Sequence, residues 1–220
     1  MKIWDEFWSD PENREWWEIP APEVLELIGA HSPQERPEVL DLGCGLGRHA
    51  IAFAEAGFSV MAIDVSETAI QHLREWARQL GLAIKTMQGD VLDPRLTQDP
   101  FDLVLSYNVI YHGYREQFEA AIQYVHKLLK PGGLFFFTCP SREDGKYGYG
   151  EEVAPHTYLS SKSITPGDMH YFTDEEDLGA LLTGFKLLSL VKDDGYFENR
   201  GQQQYFSNWQ VLVQKPERAE

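Results

Sequence analysis

The amino-acid sequence predicts an α/β domain, doubly wound about a mostly parallel sheet, and three observations carry that expectation. The first is the stretch Val39-Leu40-Asp41-Leu42-Gly43-Cys44-Gly45-Leu46-Gly47-Arg48-His49-Ala50, which reads as a buried strand, a glycine loop and the start of a helix. The second lies downstream of it: over residues 48–139 short apolar runs alternate with stretches of helical periodicity, joined by short links. The third is that the first three apolar runs close on aspartates, Asp41, Asp64 and Asp90. Open α/β sheets place their sites at the carboxyl ends of their strands.

In chain order, residues 1–36 are expected to form a helical cap. Ser9-Asp10-Pro11-Glu12 offers a capping serine, a proline in the first turn and a glutamate three positions after the cap, predicting a helix from Pro11 through Trp17. A second helix is expected from Pro22 to Ala30, with Val24, Leu25, Leu27 and Ile28 at helical spacing, and Ser32-Pro33 with Pro37 marks the loop into the first strand. Trp4, Trp8, Trp16 and Trp17 would glue this piece onto the domain.

After the glycine loop, Arg48 to Ala56 reads as the first crossover helix, Phe58 to Ile63 as a strand, Glu67 to Leu80 as a helix capped by Ser66 and stopped by Gly81, and Leu82 to Gln88 as a third strand. Phe101 to Tyr107 is a fourth apolar run. A helix from Glu116 to Leu129 is broken by Lys130-Pro131-Gly132-Gly133, and Leu134 to Cys139 is a fifth, nearly all-apolar strand. Residues 140–172, rich in Gly, Tyr, Ser, His and Pro, lack periodicity and are read as a substrate-facing insertion. Thr173-Asp174-Glu175-Glu176 resembles a capping box that starts a helix to Leu182. Phe185 to Val191 and Tyr205 to Val213 alternate like paired antiparallel strands, joined by a long turn from Lys192 to Gln204.

With 220 residues there is room for one full α/β domain with extras. Nineteen basic against thirty-five acidic residues leave a net charge of −16 without a local basic patch, which disfavours nucleic acid and anionic membranes as partners and favours a small molecule. No apolar run reaches membrane-spanning length, and the acidic, aromatic N-terminus does not read as a secretory signal, so a cytoplasmic location is expected. Cys44 and Cys139 fall about two strand spacings apart in such a sheet, beyond disulfide reach.

The spacing of the glycine loop departs from the dinucleotide fingerprint, because the last glycine comes one position early and Arg48 fills the slot reserved for glycine. With Asp64, Asp90, the Asn108 loop and Lys130-Pro131-Gly132-Gly133 behind it in order, the chain instead resembles the class I S-adenosylmethionine (SAM) dependent methyltransferases from about Pro37 to its C-terminal hairpin. Within that family it is similar to small-molecule members of the tellurite-resistance type. The resemblance implies a Rossmann-like, seven-stranded sheet in the order 3-2-1-4-5-7-6 with the seventh strand antiparallel, SAM as cofactor, and one domain over residues 37–220. Residue by residue it implies that Gly43, Cys44 and Gly45 meet the methionine part of SAM through backbone groups, with Asp41 near its ammonium. Asp64, followed by Val65, would accept from the ribose diol, Asp90 from the adenine amino group with Val91 at the ring edge, and Asn108 would contact cofactor and substrate.

Methyl transfer from a sulfonium is an in-line displacement with a neutral thioether leaving, so alignment and exclusion of water supply most of the acceleration and a base is optional. Candidates for catalysis are His112, Tyr111 and His170 in the loops at strand ends and in the insertion, with His156, Tyr114, Tyr158 and Tyr171 beside them. The scattered spacing of the histidines does not suggest a metal site. The function expected is SAM-dependent methyl transfer to a small-molecule acceptor. The alternatives are a SAM- or nucleotide-binding module without turnover and a nicotinamide-dependent oxidoreductase. The acceptor atom and the oligomeric state are left open.

Overall fold

The first strand illustrates how local chemistry sets the architecture: Val39, Leu40 and Leu42 are fully buried, as a strand covered on both faces by crossover helices requires. The computed structural model describes residues 2–14, 17–31, 37–98, 100–159, 167–199 and 202–217, and these fall into two compact units, Met1–Ser106 with Leu128–Lys130, and Tyr107–Lys127 with Pro131–Glu220.

The first unit holds α1 (Lys2–Ser9), α2 (Pro22–Ala30), β1 (Glu38–Leu42), α3 (Arg48–Glu55), β2 (Ser59–Asp64), α4 (Glu67–Leu80), β3 (Ile84–Gln88) and β4 (Phe101–Ser106). All four strands run parallel: Leu40 sits opposite Met61 on one side and Val104 on the other, and Asp64 pairs with Gln88. Ser66 caps α4, its Oγ accepting from Ala69 N at 3.1 Å, and Gly81 closes it at φ 69°. The N-terminal piece departs from expectation. Its helix runs over Lys2–Ser9, and Pro11–Asn13 is only a 3-10 turn. The aromatic residues decide this, because a helix over 2–9 aims Trp4, Phe7 and Trp8 together into a cluster with Leu46 and Ala69, with Trp17 against it. Trp16 and residues 32–36 lie outside the described residues. Cap and early strands share one compact unit.

The second unit holds most of α5 (Arg115–Leu128) and β5 (Leu129–Pro140), apart from Leu128–Lys130, together with β6 (Glu151–Ala154), β7 (Thr157–Leu159), β8 (Met169–Tyr171), α6 (Glu175–Leu181), β9 (Lys186–Asn199) and β10 (Gln202–Gln214). The strand expected from Leu134 begins at Leu129, directly after α5, so Lys130-Pro131-Gly132-Gly133 lies within β5, where Gly132 takes φ 78° and donates to Lys215 O at 3.0 Å. β10 is antiparallel to both neighbours, with Val211 opposite Phe137 and Leu190. Three further expectations are corrected here. The turn expected over 192–204 is strand on both sides up to residues 200–201, which are not described; Tyr196 opposite Tyr205 and Gly195 opposite Phe206 extend the ladder, with ring contacts across it. The insertion 140–172 carries a three-stranded antiparallel sheet, β6-β7-β8. Asp174, not Thr173, caps α6, accepting from Asp177 N at 2.9 Å.

The strands form one seven-stranded sheet in the order β3-β2-β1-β4-β5-β10-β9, mostly parallel with the antiparallel hairpin at one end. That is the Rossmann-like methyltransferase order expected from the sequence, with β10 as the seventh strand and β9 as the sixth.

Candidate functional site

In the first unit the glycine loop folds back on the sheet. Gly43, Gly45 and Gly47 all take positive φ, at 77°, 52° and 94°, a region that costs other residues energy. The result is that Gly43 N and Cys44 N both donate to Ile63 O, at 2.8 and 2.9 Å, while Gly45 N donates to Asp64 Oδ2 at 2.8 Å. The amides of Gly43, Cys44 and Gly45 are thus spent on partners within the protein. What the loop region presents to a ligand is acceptors, which suits a cationic, donor-rich molecule rather than a phosphate.

The carboxylates obey the same logic. Asp41 is 1% exposed, accepts from the Ala50 amide, and its Oδ2 meets no hydrogen-bond partner among the described residues. Burial pushes its pKa up to about 7, with the Asp64 charge adding and Arg48 opposing. Asp64 spends one lone pair of each oxygen on Gly45 N and Ser66 N, both at 2.8 Å, and burial raises its pKa as well. Cys44, beside both, has its thiol pushed well upward by burial, which disfavours the thiolate.

Asp90 is exposed and turns its own loop, Oδ1 accepting from Leu92 N at 2.9 Å. With Val65, Gln88 and Gly89 it lines a cleft of about 280 Å³; Val91 is not part of that lining. A wider cleft of about 610 Å³ lies at the amino ends of the strands, lined by Glu38, Ser59 and Lys85 among others, the opposite side from the one where open α/β sheets bind ligands.

One partner of the loop escaped the sequence reading. Asp5 of α1 accepts from Ser66 Oγ at 2.6 Å and from Thr68 N at 3.2 Å, and the Trp8 ring packs so closely on Gly45 that a Cβ there would lie 3.1 Å from it. The signal was present as the four-residue spacing of Trp4 and Trp8, readable as a helix face.

In the second unit Asn108 takes φ 59°, its amide donating to Thr138 Oγ1 at 2.8 Å and its Oδ1 accepting from the same hydroxyl at 2.9 Å. A non-glycine residue held there is strained by its surroundings, as often happens at functional sites. The same loop brings His112 to Asp168, Nδ1 to Oδ2 at 2.7 Å, and Asp168 Oδ2 also meets His170 Nε2 at 3.0 Å. Tyr111 lies against both rings, at centroid distances of 4.3 and 5.4 Å. Burial would raise Asp168, but the hydrogen bonds from His112 and His170 overcome it and hold the carboxyl below its ordinary range. Burial lowers His170 to about 4 and sends the Tyr111 phenol well up. The three catalytic candidates are thus neighbours, joined by an aspartate that the sequence reading missed. Tyr114 is exposed, and His156 is tied to Tyr147 Oη at 2.7 Å.

Known methyltransferases share part of this sequence and its fold. A methyltransferase-domain family model matches residues 39–133, from β1 into β5. A cypemycin N-terminal methyltransferase from a Streptomyces species is 34% identical over 123 residues, covering 54% of this chain and 49% of the relative. A tRNA N(3)-methylcytidine methyltransferase from Schizosaccharomyces pombe is 24% identical over 219 residues, covering 90% and 68%. The structure of TehB from Haemophilus influenzae shares the fold, with a TM-score of 0.68 at 20% identity over 89% of this chain and 62% of that one. The chain spans about half the length of the cypemycin relative. Residues 39–133 thus match a methyltransferase-domain family, and the sheet has the strand order of the class I methyltransferase fold.

Proposed function

We propose that the chain transfers the methyl group of SAM to a small-molecule acceptor, releasing S-adenosylhomocysteine and the acceptor's proton. The observation that carries this reading is Asp41 Oδ2, a buried oxygen without a partner among the described residues, beside a loop whose Gly43, Cys44 and Gly45 amides are spent within the protein. SAM offers an ammonium, a ribose diol and an adenine amino group, and all three are donors. Asp41 would take the ammonium beside Gly43, Cys44 and Gly45. Asp64 would accept from the diol with the lone pairs it does not spend on Gly45 and Ser66. Asp90 would take the adenine amino group, with Val65 and the 280 Å³ cleft receiving the ring and Val91 at its edge. Asn108 is carried over as a cofactor contact by the family resemblance. The bound cofactor supplies an electrophilic methyl on a sulfonium; the protein's part is alignment and exclusion of water.

A small acceptor is favoured by charge. Thirty-five acidic against nineteen basic residues repel a polyanion, even though one relative acts on tRNA. His112, Tyr111 and His170 are the proposed contacts for the acceptor. Calorimetry with S-adenosylhomocysteine, then a screen in which tRNA and small phenols, amines and thiols compete for labelled SAM, tests the proposal. Uptake of NAD with no response to S-adenosylhomocysteine would sink it, and label transferred only to tRNA would sink the small-molecule part.

A further inference from the structure

We propose that His112, Asp168 and His170 bind one divalent first-row transition-metal ion. The three residues offer one ligand atom each, and these atoms all lie within 4.8 Å of one another. Two imidazoles with one carboxylate are a ligand set for zinc, iron, cobalt or nickel rather than for magnesium or calcium, which prefer oxygen throughout. Bonds of 2.0–2.2 Å in a tetrahedral shell place neighbouring ligand atoms about 3.3 Å apart. The separations of 2.7 Å from His112 Nδ1 and 3.0 Å from His170 Nε2 to Asp168 Oδ2 need to open by about 0.6 and 0.3 Å to reach that spacing.

The surroundings are built to hold the ligands in place. Asp168 and His170 flank Met169 at the start of β8, and alternate residues of a strand point to one face. His112 comes from the loop after β4, and Tyr171 N donates to Tyr111 O at 3.0 Å, tying that loop to β8 beside the cluster. The second ring nitrogen of His112 faces the Asn108 carbonyl oxygen at 3.0 Å. A ring nitrogen that donates to a carbonyl fixes the tautomer in which the lone pair lies on the nitrogen facing Asp168, the outer-shell arrangement found around metal-ligating histidines. His170 is 3% exposed, and its Nε2 is held toward Asp168 away from bulk water. Three protein ligands leave a fourth position for an oxygen, nitrogen or sulfur donor from outside, as in zinc sites that act on substrates rather than brace a fold.

The test uses the whole chain after dialysis against a chelator. Titration with zinc chloride, read by calorimetry, should give one ion per chain, with a Kd below about 1 μM. Cobalt(II) should give a visible d–d spectrum of low-symmetry nitrogen and oxygen coordination, a readout that needs no variant. Asp168→Asn and His170→Ala should each weaken zinc binding at least a hundredfold, with circular dichroism reporting that the fold is intact, while His72→Gln leaves binding unchanged. Parent protein that takes up no stoichiometric zinc, or zinc uptake that survives both substitutions, overturns the proposal and leaves the cluster as a triad closed by a proton. Binding of S-adenosylhomocysteine to the chelated protein is measured separately, so failure here leaves the methyltransferase reading untouched.

Discussion

The Gly45 amide donates to Asp64 Oδ2 across 2.8 Å, so the glycine loop after β1 and the carboxylate that closes β2 hold each other in place. One carboxylate thereby shapes the loop and also offers its remaining lone pairs to a ligand. The consequences can be measured.

Asp64→Ala removes the proposed ribose acceptor. Affinity for S-adenosylhomocysteine should fall by about 1.5–3 kcal/mol, roughly ten- to 150-fold by calorimetry. The melting temperature should fall too, because the Gly45 and Ser66 amides lose their acceptor. An unchanged Kd would show that the ribose binds elsewhere.

Asp41 makes stability depend on pH with a definite sign. Its folded pKa of about 7 lies above the ordinary 3.8, so between about pH 4 and 7 the native state keeps a proton that the unfolded chain has lost. Stability is therefore present in the acidic part of that window and is lost as pH rises through 7, by at most about 4 kcal/mol. The raised Asp64 acts in the same direction. Melting curves at pH 5 and pH 8 should show the drop in the parent and a smaller one in Asp41→Asn; equal slopes would mean that Asp41 titrates normally. Affinity for SAM should rise over the same range as Asp41 ionises.

Gly47 separates backbone strain from packing. A Cβ at Gly47, φ 94°, would overlap the Leu73 side chain, whereas one at Gly81, φ 69°, meets nothing within 4 Å. Gly47→Ala should cost about 2–4 kcal/mol and Gly81→Ala about 1 kcal/mol in urea unfolding. Equal costs would rule out the overlap.

The start of the insertion should resist proteolysis, contrary to what its glycines suggest. Asp144 is 4% exposed and accepts from Lys146 N at 2.8 Å and from Ser207 N at 2.9 Å, while Ser141 Oγ donates to Ser207 Oγ at 2.8 Å. Asp144→Ala leaves a buried amide of β10 unpaired and should lower stability by about 1–3 kcal/mol. Limited digestion should cut the parent at the exposed Tyr149 turn and spare 141–147, and cut both in the variant. Equal cutting of 141–147 in the two proteins would show the anchor to be without effect.

Local pattern was enough for β1 through α4, which fall within two residues of their expected ends, since buried apolar runs, the Ser66 cap and Gly81 act over three or four neighbours. The strand-end aspartates were readable for the same reason, whereas the start of β5 at Leu129, ahead of Lys130-Pro131-Gly132-Gly133, was not. The β6-β7-β8 sheet, the extension of the terminal hairpin and the helix over Lys2–Ser9 were not, because each is stabilised by partners distant in sequence rather than by its own periodicity. It took the folded chain to show that the Gly43, Cys44 and Gly45 amides are spent within the protein, that Asp41 keeps a buried oxygen without a partner among the described residues, and that Asp168 stands between His112 and His170. Each of those facts depends on where segments separated along the chain come to lie, as Gly45 meets Asp64 and His112 meets Asp168, or on how much water their meeting excludes. Desolvation and hydrogen-bond direction are properties of that meeting, and no local pattern of residues encodes them.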